Sequence, residues 1–513
     1  MKNQIIRVAS CVVFAFIISA CSRDFDNPVG DNSARYSKGS ADFSKFVSIG
    51  DSLTAGYADG ALYQSGQKSS YPAILAQQFA TVGGGAFVQP LMEDNLGGFL
   101  IGGVSDPDGD GKPDFPNRLV LNAAPKNPPD DLDPTGPEPI DDTLKIDILN
   151  PSAPLTGPFN NFGVPGAKSF HLLSDSYGDP AGLTLKTANP YYVRFAPTVT
   201  TSMIAAAAAQ APSFFILWIG NNDVLSYATK GGIGTDQKGN LDPATYGAND
   251  ITDPDVFTNT YNGLVATLTG ANADAKGVLI NIPDISTIPY FKTVPYNALP
   301  LDQATADALN ASYVDYNAGV AAALATVAPD EATKRTISFS AGQNAVVISD
   351  EDLTDLTGVG LPSIRQATAE DLLILTTSTK IGKPNADDSS KVDGISAPLS
   401  DGDVLIPSEI QAIETARQAF NAAIKAAAEA NDNLLFFDVA AVMSELSTSG
   451  IDYGTGFIDA TYATGGGFSL DGVHPTARGY AVVANRIIDV INSGFNANIP
   501  PVDPGAYTTI FVK

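Results

Sequence analysis

Cysteine is nearly missing from these 513 residues, with only Cys11 and Cys21 present. Two thiols cannot form the framework of a disulfide-stapled fold. Basic residues are also few: 29 Lys and Arg face 56 Asp and Glu, for a formal charge of -27. Phosphate backbones are gripped by clustered Lys and Arg, so this balance excludes nucleic acid as a partner and leaves an acidic surface that repels anionic polymers. The apolar run Val8 to Ala20 is too short to span a bilayer. Histidine occurs twice, at His171 and His474, so any histidine-dependent chemistry has two candidates, and nothing suggests a catalytic zinc. No repeat of 20–50 residues is visible.

What is present is enough for a large core, since 44% of residues are apolar. The N-terminus reads as a targeting signal, with Lys2 and Arg7 ahead of the apolar run. It closes on Ile18-Ser19-Ala20-Cys21, which resembles the lipobox of bacterial lipoproteins. That resemblance implies cleavage before Cys21 and lipidation of Cys21. Cys11 would be discarded with the signal, leaving no pair for a disulfide, and loss of Lys2 and Arg7 would take the charge to about -29. The expected product is exported and lipid-anchored to a bacterial membrane, the outer membrane on this reading. Multiple acyl chains supply an anchorage that a single chain does not.

Residues 21–42 carry little apolar content and read as a tether. The main domain is expected over 43–498, with a tail at 499–513. Phe46 to Gly50 reads as a buried strand stopped by Gly50-Asp51-Ser52. Helical spacing follows over Pro72 to Ala80. Residues 81–158 are rich in Gly, Pro and Asp and form an insertion, functional or disordered. Alternation then returns: helix Ser202 to Gln210, strand Ser213 to Ile219, helix Asn259 to Asn272, strand Gly277 to Ile282 and a long helix at Thr305 to Val327. Residues 337–403 lack periodicity and read as a second insertion. Helix Glu409 to Ala430, strand Leu434 to Phe437 and helix Thr476 to Asn492 complete the chain. Strands apolar nearly throughout, separated by helices, predict a parallel sheet covered on both faces.

The chemistry gathers at the ends of those strands, where open α/β sheets bind ligands. Gly50-Asp51-Ser52-Leu53 delivers a hydroxyl there. Phe215 to Ile219 runs into Gly220-Asn221-Asn222-Asp223, where an Asn can donate to a developing oxyanion. Asn160 to Ala167 holds glycines that bring a backbone N–H close to a ligand. Asp471-Gly472-Val473-His474 places a carboxylate three residues before an imidazole, with Pro475 suited to the first turn of the next helix. In order, these blocks resemble those of the SGNH (GDSL) esterases and lipases, over most of the span from Phe43 to about Asn496. The resemblance implies a three-layer α/β/α fold of flavodoxin-like form and a Ser-His-Asp mechanism. Ser52 would be the nucleophile, His474 the general base and Asp471 its orienting carboxylate. The oxyanion hole would come from the Ser52 and Gly166 N–H groups and the Asn222 side chain. The spacing before Gly166 is longer than usual in the family, so Gly163 is the alternative. The Gly-x-Ser-x-Gly elbow of α/β-hydrolases occurs nowhere.

The expected activity is cleavage of carboxylic esters as a lipase, acylhydrolase or esterase, with an ester substrate and a membrane reached through the lipid anchor. A polysaccharide O-deacetylase of the same fold, or a non-catalytic surface module binding glycan or protein, are the competing readings. No cofactor is required. One structural calcium is a candidate: Asp106, Asp108, Asp110 and Asp114 stand at positions 1, 3, 5 and 9 of an EF-hand-like loop, with Asn117 at position 12 in place of the usual Glu. The alternative is an acidic solvated loop. His171 either lines the cleft or serves structure alone.

Overall fold

The computed structural model describes residues 35–101, 103–105, 114–127, 131–141, 147–150 and 153–513. The expected signal, Cys21 and the acidic positions Asp106, Asp108 and Asp110 therefore lie outside the described residues.

Five strands form one parallel sheet: β1 (Phe46–Gly50), β2 (Asn161–Gly163), β3 (Phe214–Trp218), β4 (Lys276–Ile280) and β5 (Leu434–Phe437). Their order across the sheet is β2-β1-β3-β4-β5. The two central strands explain why the pattern reads as continuous rather than alternating. Phe214, Phe215, Ile216 and Leu217 are all fully buried, as are Val47 and Ile49, so both faces of the sheet are covered. Each such side chain removed from water contributes about 1.5–3 kcal/mol before the entropy of ordering is counted.

Helices cover the two faces. On one, α2 (Tyr71–Ala80) packs against α7 (Ala477–Gly494). On the other, α5 (Pro254–Ala271) packs against both α3 (Met203–Ala208) and α6 (Pro407–Glu429). Between them stand two short helices that follow strand ends, α1 (Ser52–Ala55) and α4 (Asn222–Ala228). The arrangement is a central parallel sheet flanked by helices, consistent with a three-layer α/β fold. α7 begins on the Thr476 hydroxyl, which accepts the Gly479 N–H at 3.0 Å. Pro475 thus lies before the cap rather than in the first helical turn, and His474 sits in a loop ahead of the helix.

Several stretches differ from their sequence reading. Asn161–Gly163, where no strand was expected, is a strand because it pairs in register with Ser48, Ile49 and Gly50. The tether is shorter than expected, since Ser37 and Asn498 exchange backbone hydrogen bonds and Ala41 is buried. The tail is also held: Leu121 N–H donates to Phe511 and Lys513 N–H donates back to Leu121. Within the first insertion, Leu119–Asn127 and Asp131–Pro139 pair antiparallel despite their prolines, with register shifts on either side of Pro125. The long helix expected over 305–327 is two, Gln303–Ser312 and Val314–Leu324, parted at the buried Tyr313. Tyr313 and the stretch 337–403 belong to a second, smaller core that includes Leu299, Phe339, Val347, Ile348 and Leu373.

Candidate active site

β1 carries its last residue, Gly50, to the carboxyl edge of the sheet, and the chain turns at once into α1. Asp51 stabilises that turn by accepting the Leu53 N–H at 3.0 Å and the Asn221 side-chain amide at 2.8 Å. Ser52 is then the first helical residue, so its N–H has no carbonyl four residues back. Its hydroxyl lies 2.8 Å from His474 Nε2. His474 Nδ1 lies 2.9 Å from Asp471 Oδ2.

Asp471 is held from several sides. Oδ1 accepts the N–H groups of Val473 and His474 at 2.9 and 2.8 Å, and Oδ2 also accepts the Gly60 N–H at 3.0 Å. Burial by itself would raise its pKa, but attraction to His474 and this set of hydrogen bonds lower it to about 2. Asp51 shows the opposite balance at similar depth. Burial dominates there, and the bonds from Asn221 and Leu53 leave its pKa at about 6. Of the two carboxylates near Ser52, Asp471 is the one that stays ionised through mild acid, and it faces the imidazole.

The residues expected to supply oxyanion donors lie at the same edge. The side-chain amide of Asn222, first residue of α4, donates one hydrogen to the Ala167 carbonyl at 3.0 Å. An amide carries two donors, so the second remains for a ligand. Asp223, beside it, accepts the Ser169 N–H and hydroxyl at 2.8 and 2.7 Å, stitching the turn after β2 to α4. Gly166 occupies that turn, exposed and at φ +80°, a conformation that favours glycine. The choice between Gly166 and Gly163 is decided by sterics. A Cβ at Gly163 would come within 2.1 Å of the Ala55 nitrogen, and its N–H is bonded to Asn161 at 2.8 Å. Gly163 is a packing glycine, whereas a Cβ at Gly166 would meet only the Asn189 amide nitrogen, at 3.9 Å.

Ser52, Asp471, His474, Gly166 and Asn222 are thus brought to one sheet edge from four separate stretches. The chain matches no family model, no curated protein and no solved structure. The chemistry of the site has to be read from its own geometry. Among the described residues, no helix is long and apolar enough to cross a membrane.

His171 does not enter the cleft. Its Nδ1 accepts the Lys168 N–H at 3.1 Å, its ring stacks on Tyr177 at 4.5 Å, and burial with the Lys168 charge brings its pKa down to about 3. It is a neutral structural histidine. Of the calcium candidates, Asp114 is described: it is exposed, and its N–H donates to the Ser105 carbonyl at 3.0 Å. Asn117 is buried and its amide donates to the Asp141 carbonyl. Among the described residues, the one group of three acidic side chains whose oxygens approach within 4.8 Å is Glu351, Asp401 and Glu409.

The structure adds partners to the triad that the sequence did not single out. Asp59 sits at φ +54°, left-handed and strained for a non-glycine residue, and every polar group it carries is used. Its N–H donates to Ser469 Oγ at 2.9 Å, its carbonyl accepts from Leu119, and its carboxylate accepts the Leu470 N–H and the Tyr63 hydroxyl. That conformation aims the next N–H, of Gly60, at Asp471. Tyr57 lays its ring 4.8 Å from the His474 ring and fixes its hydroxyl on the Gly60 carbonyl at 2.6 Å. The only local signal was the aromatic and glycine content of Tyr57 to Tyr63.

Proposed function

We propose that the chain is a serine hydrolase of carboxylic esters, an SGNH-type enzyme in a flavodoxin-like fold. The observation that carries this reading is the unbroken line of hydrogen bonds Ser52–His474–Asp471, with distances of 2.8 and 2.9 Å. Topology supports it. In chain order the strands run 2-1-3-4-5, the flavodoxin arrangement, and the reversal falls between β1 and β3. Ser52 follows β1 and Asn222 follows β3, so both stand at the switch point.

In the proposed mechanism Ser52 Oγ attacks the ester carbonyl and its proton passes to His474 Nε2. Asp471, ionised at neutral and mildly acidic pH, holds the Nδ1–H and favours the imidazolium that forms. The carbonyl oxygen, now negative, is met by the free hydrogen of Asn222 and by the Ser52 and Gly166 N–H groups. The imidazolium returns its proton to the leaving alkoxide, giving an acyl-enzyme on Ser52. Water deprotonated by His474 then attacks that ester, and collapse releases the acid and restores the hydroxyl. None of these steps calls for a cofactor. The same reading keeps the enzyme on a membrane through lipid on Cys21.

A fluorophosphonate probe tests the proposal, because it reacts only with an activated serine. Labelling of the wild type, abolished in Ser52→Ala, is the expected result; an unlabelled wild type would support the non-catalytic module instead. Asn222→Ala should lower kcat by about 10²–10³ without abolishing turnover. Near-wild-type rates in that variant would remove Asn222 from the oxyanion hole.

A further inference from the structure

Ser52 and His474 open on a small slot of about 50 Å³, and the largest single share of its wall comes from one segment, Ile282 to Ile288. That segment is unusually well anchored for chain lying outside helices of the main layers. Ile282 N–H donates to Asn421 Oδ1 at 2.8 Å, and its carbonyl accepts from Asn421 Nδ2 at 2.8 Å and Arg417 Nη1 at 3.0 Å. Both polar groups of that peptide are therefore fixed to α6. Asp284 accepts the Ser286 N–H at 2.8 Å and the Thr287 N–H on its carbonyl, closing a single 3₁₀ turn at Ile285–Thr287. Beyond it, the Tyr290 N–H donates to the Gly472 carbonyl at 3.0 Å, tying the wall to the loop that carries Asp471 and His474. The opposite wall is Leu53 of α1 with Val224 and Leu225 of α4.

Size and polarity then decide what fits. One water needs about 10–15 Å³ on this measure, so the slot takes roughly three to five atoms of that size. The side chains around it are aliphatic apart from four polar ones. Ser52 and His474 are the reacting pair, Asn221 gives one amide hydrogen to Asp51, and Asp284 gives one carboxylate oxygen to the Ser286 N–H. The rest of the lining is aliphatic, so a short alkyl group exchanges water for apolar contact along most of it.

Granting the ester hydrolysis proposed above, we infer that this slot receives the acyl group and restricts it to short chains, acetyl to about butyryl, with Ile285 and Ile288 setting the limit. A longer chain has to displace one of these buried isoleucines from backbone pinned to α6 and to the Gly472 loop. The substrate class is therefore the short-chain acyl ester, with the alcohol lying outside the slot.

The test compares p-nitrophenyl acetate, butyrate and octanoate on the full chain and on Ile285→Ala, Ile288→Ala and Ile288→Phe. Wild-type kcat/KM should be at least about tenfold higher for butyrate than for octanoate. Either alanine variant should raise the octanoate-to-butyrate ratio about tenfold, and Ile288→Phe should lower butyrate relative to acetate. Ratios within one variant do not depend on how much of it is folded. Fluorophosphonate labelling together with equal or better octanoate turnover in the wild type would overturn the size limit and leave the serine hydrolase intact. Ratios unmoved in all three variants would overturn the assignment of the isoleucines. No labelling and no turnover of any ester would overturn the hydrolase reading itself.

Discussion

The region around the central sheet and the region between Tyr290 and Ile406 are both well packed, but they are ordered by different forces. In the first, five consecutive residues of β1 and of β3 are buried, and nearly all are apolar. In the second, the largest fully buried side chains include Arg335 and Arg365. Arg365 meets Asp371 through two bonds of 2.6 and 2.7 Å and also contacts Asp350, which Lys334 approaches at 3.0 Å. Arg335 is bonded to Glu331 at 2.9 Å and to the carbonyls of Thr354 and Pro362. Apolar burial is non-directional and tolerates repacking. A buried ion pair is directional, gains little net stability over apolar side chains, and fails badly when one partner is lost. The sheet region carries the proposed chemistry on a forgiving foundation; its neighbour holds its shape through a few specific charges.

The contrast can be broken most directly by Asp371→Ala. It removes the bidentate partner of the buried Arg365, leaving the guanidinium to Asp350, and should cost about 3–5 kcal/mol in urea unfolding. Replacing Asp350, Arg365 and Asp371 together with aliphatic residues should cost much less than that single change. If the single variant unfolds within about 1 kcal/mol of wild type, the ions do not organise this region.

At the seam between the regions, Glu409 offers a milder test. Burial, reinforced by the charges of Glu351 and Asp401 against the opposing bond from Ile406 N–H, raises its pKa from 4.5 to about 8. The native state therefore holds a proton that the unfolded chain releases. Stability from that proton is fully present below about pH 4.5 and is lost as pH rises through 8. Glu409→Gln has no such proton to lose. It should melt close to wild type at pH 5 and roughly 2–4 °C higher at pH 9, read by calorimetry. A difference that does not grow with pH would show that Glu409 is not held protonated.

Thr476→Ala, in the sheet region, should have the smallest effect. Loss of the α7 cap is expected to cost about 1 kcal/mol in the same urea measurement. A loss above about 3 kcal/mol would show that the cap also secures the loop of His474.

How much could be read in the sequence follows the same division. β1, β3 and β4 were legible because a parallel strand buried on both faces is a nearly uninterrupted apolar run, and β5, half-buried at the sheet edge, because its four residues are all apolar. β2 was not, because Asn161, Phe162 and Gly163 become a strand only by pairing with β1. The stretch 337–403 showed no period because its order lies in strands of two or three residues and in charges that meet across the chain. Ser52 and His474 were legible from their turns and from the scarcity of histidine. Asp59 was not, since its role depends on a left-handed backbone and on contacts with Ser469 and Leu470, the latter 411 residues away. The resemblance also proposed Gly163 as an alternative to Gly166, and only the closeness of Ala55 separates them.

The hydroxyl and the imidazole that meet at 2.8 Å are 422 residues apart in the chain. At about 5–20 residues per second, a ribosome finishes the first some 20–80 seconds before the second exists. Throughout that interval the growing polypeptide holds a serine with no base to activate it. Any reactivity of the kind proposed here waits for His474, and fragments that end before that residue should be inert.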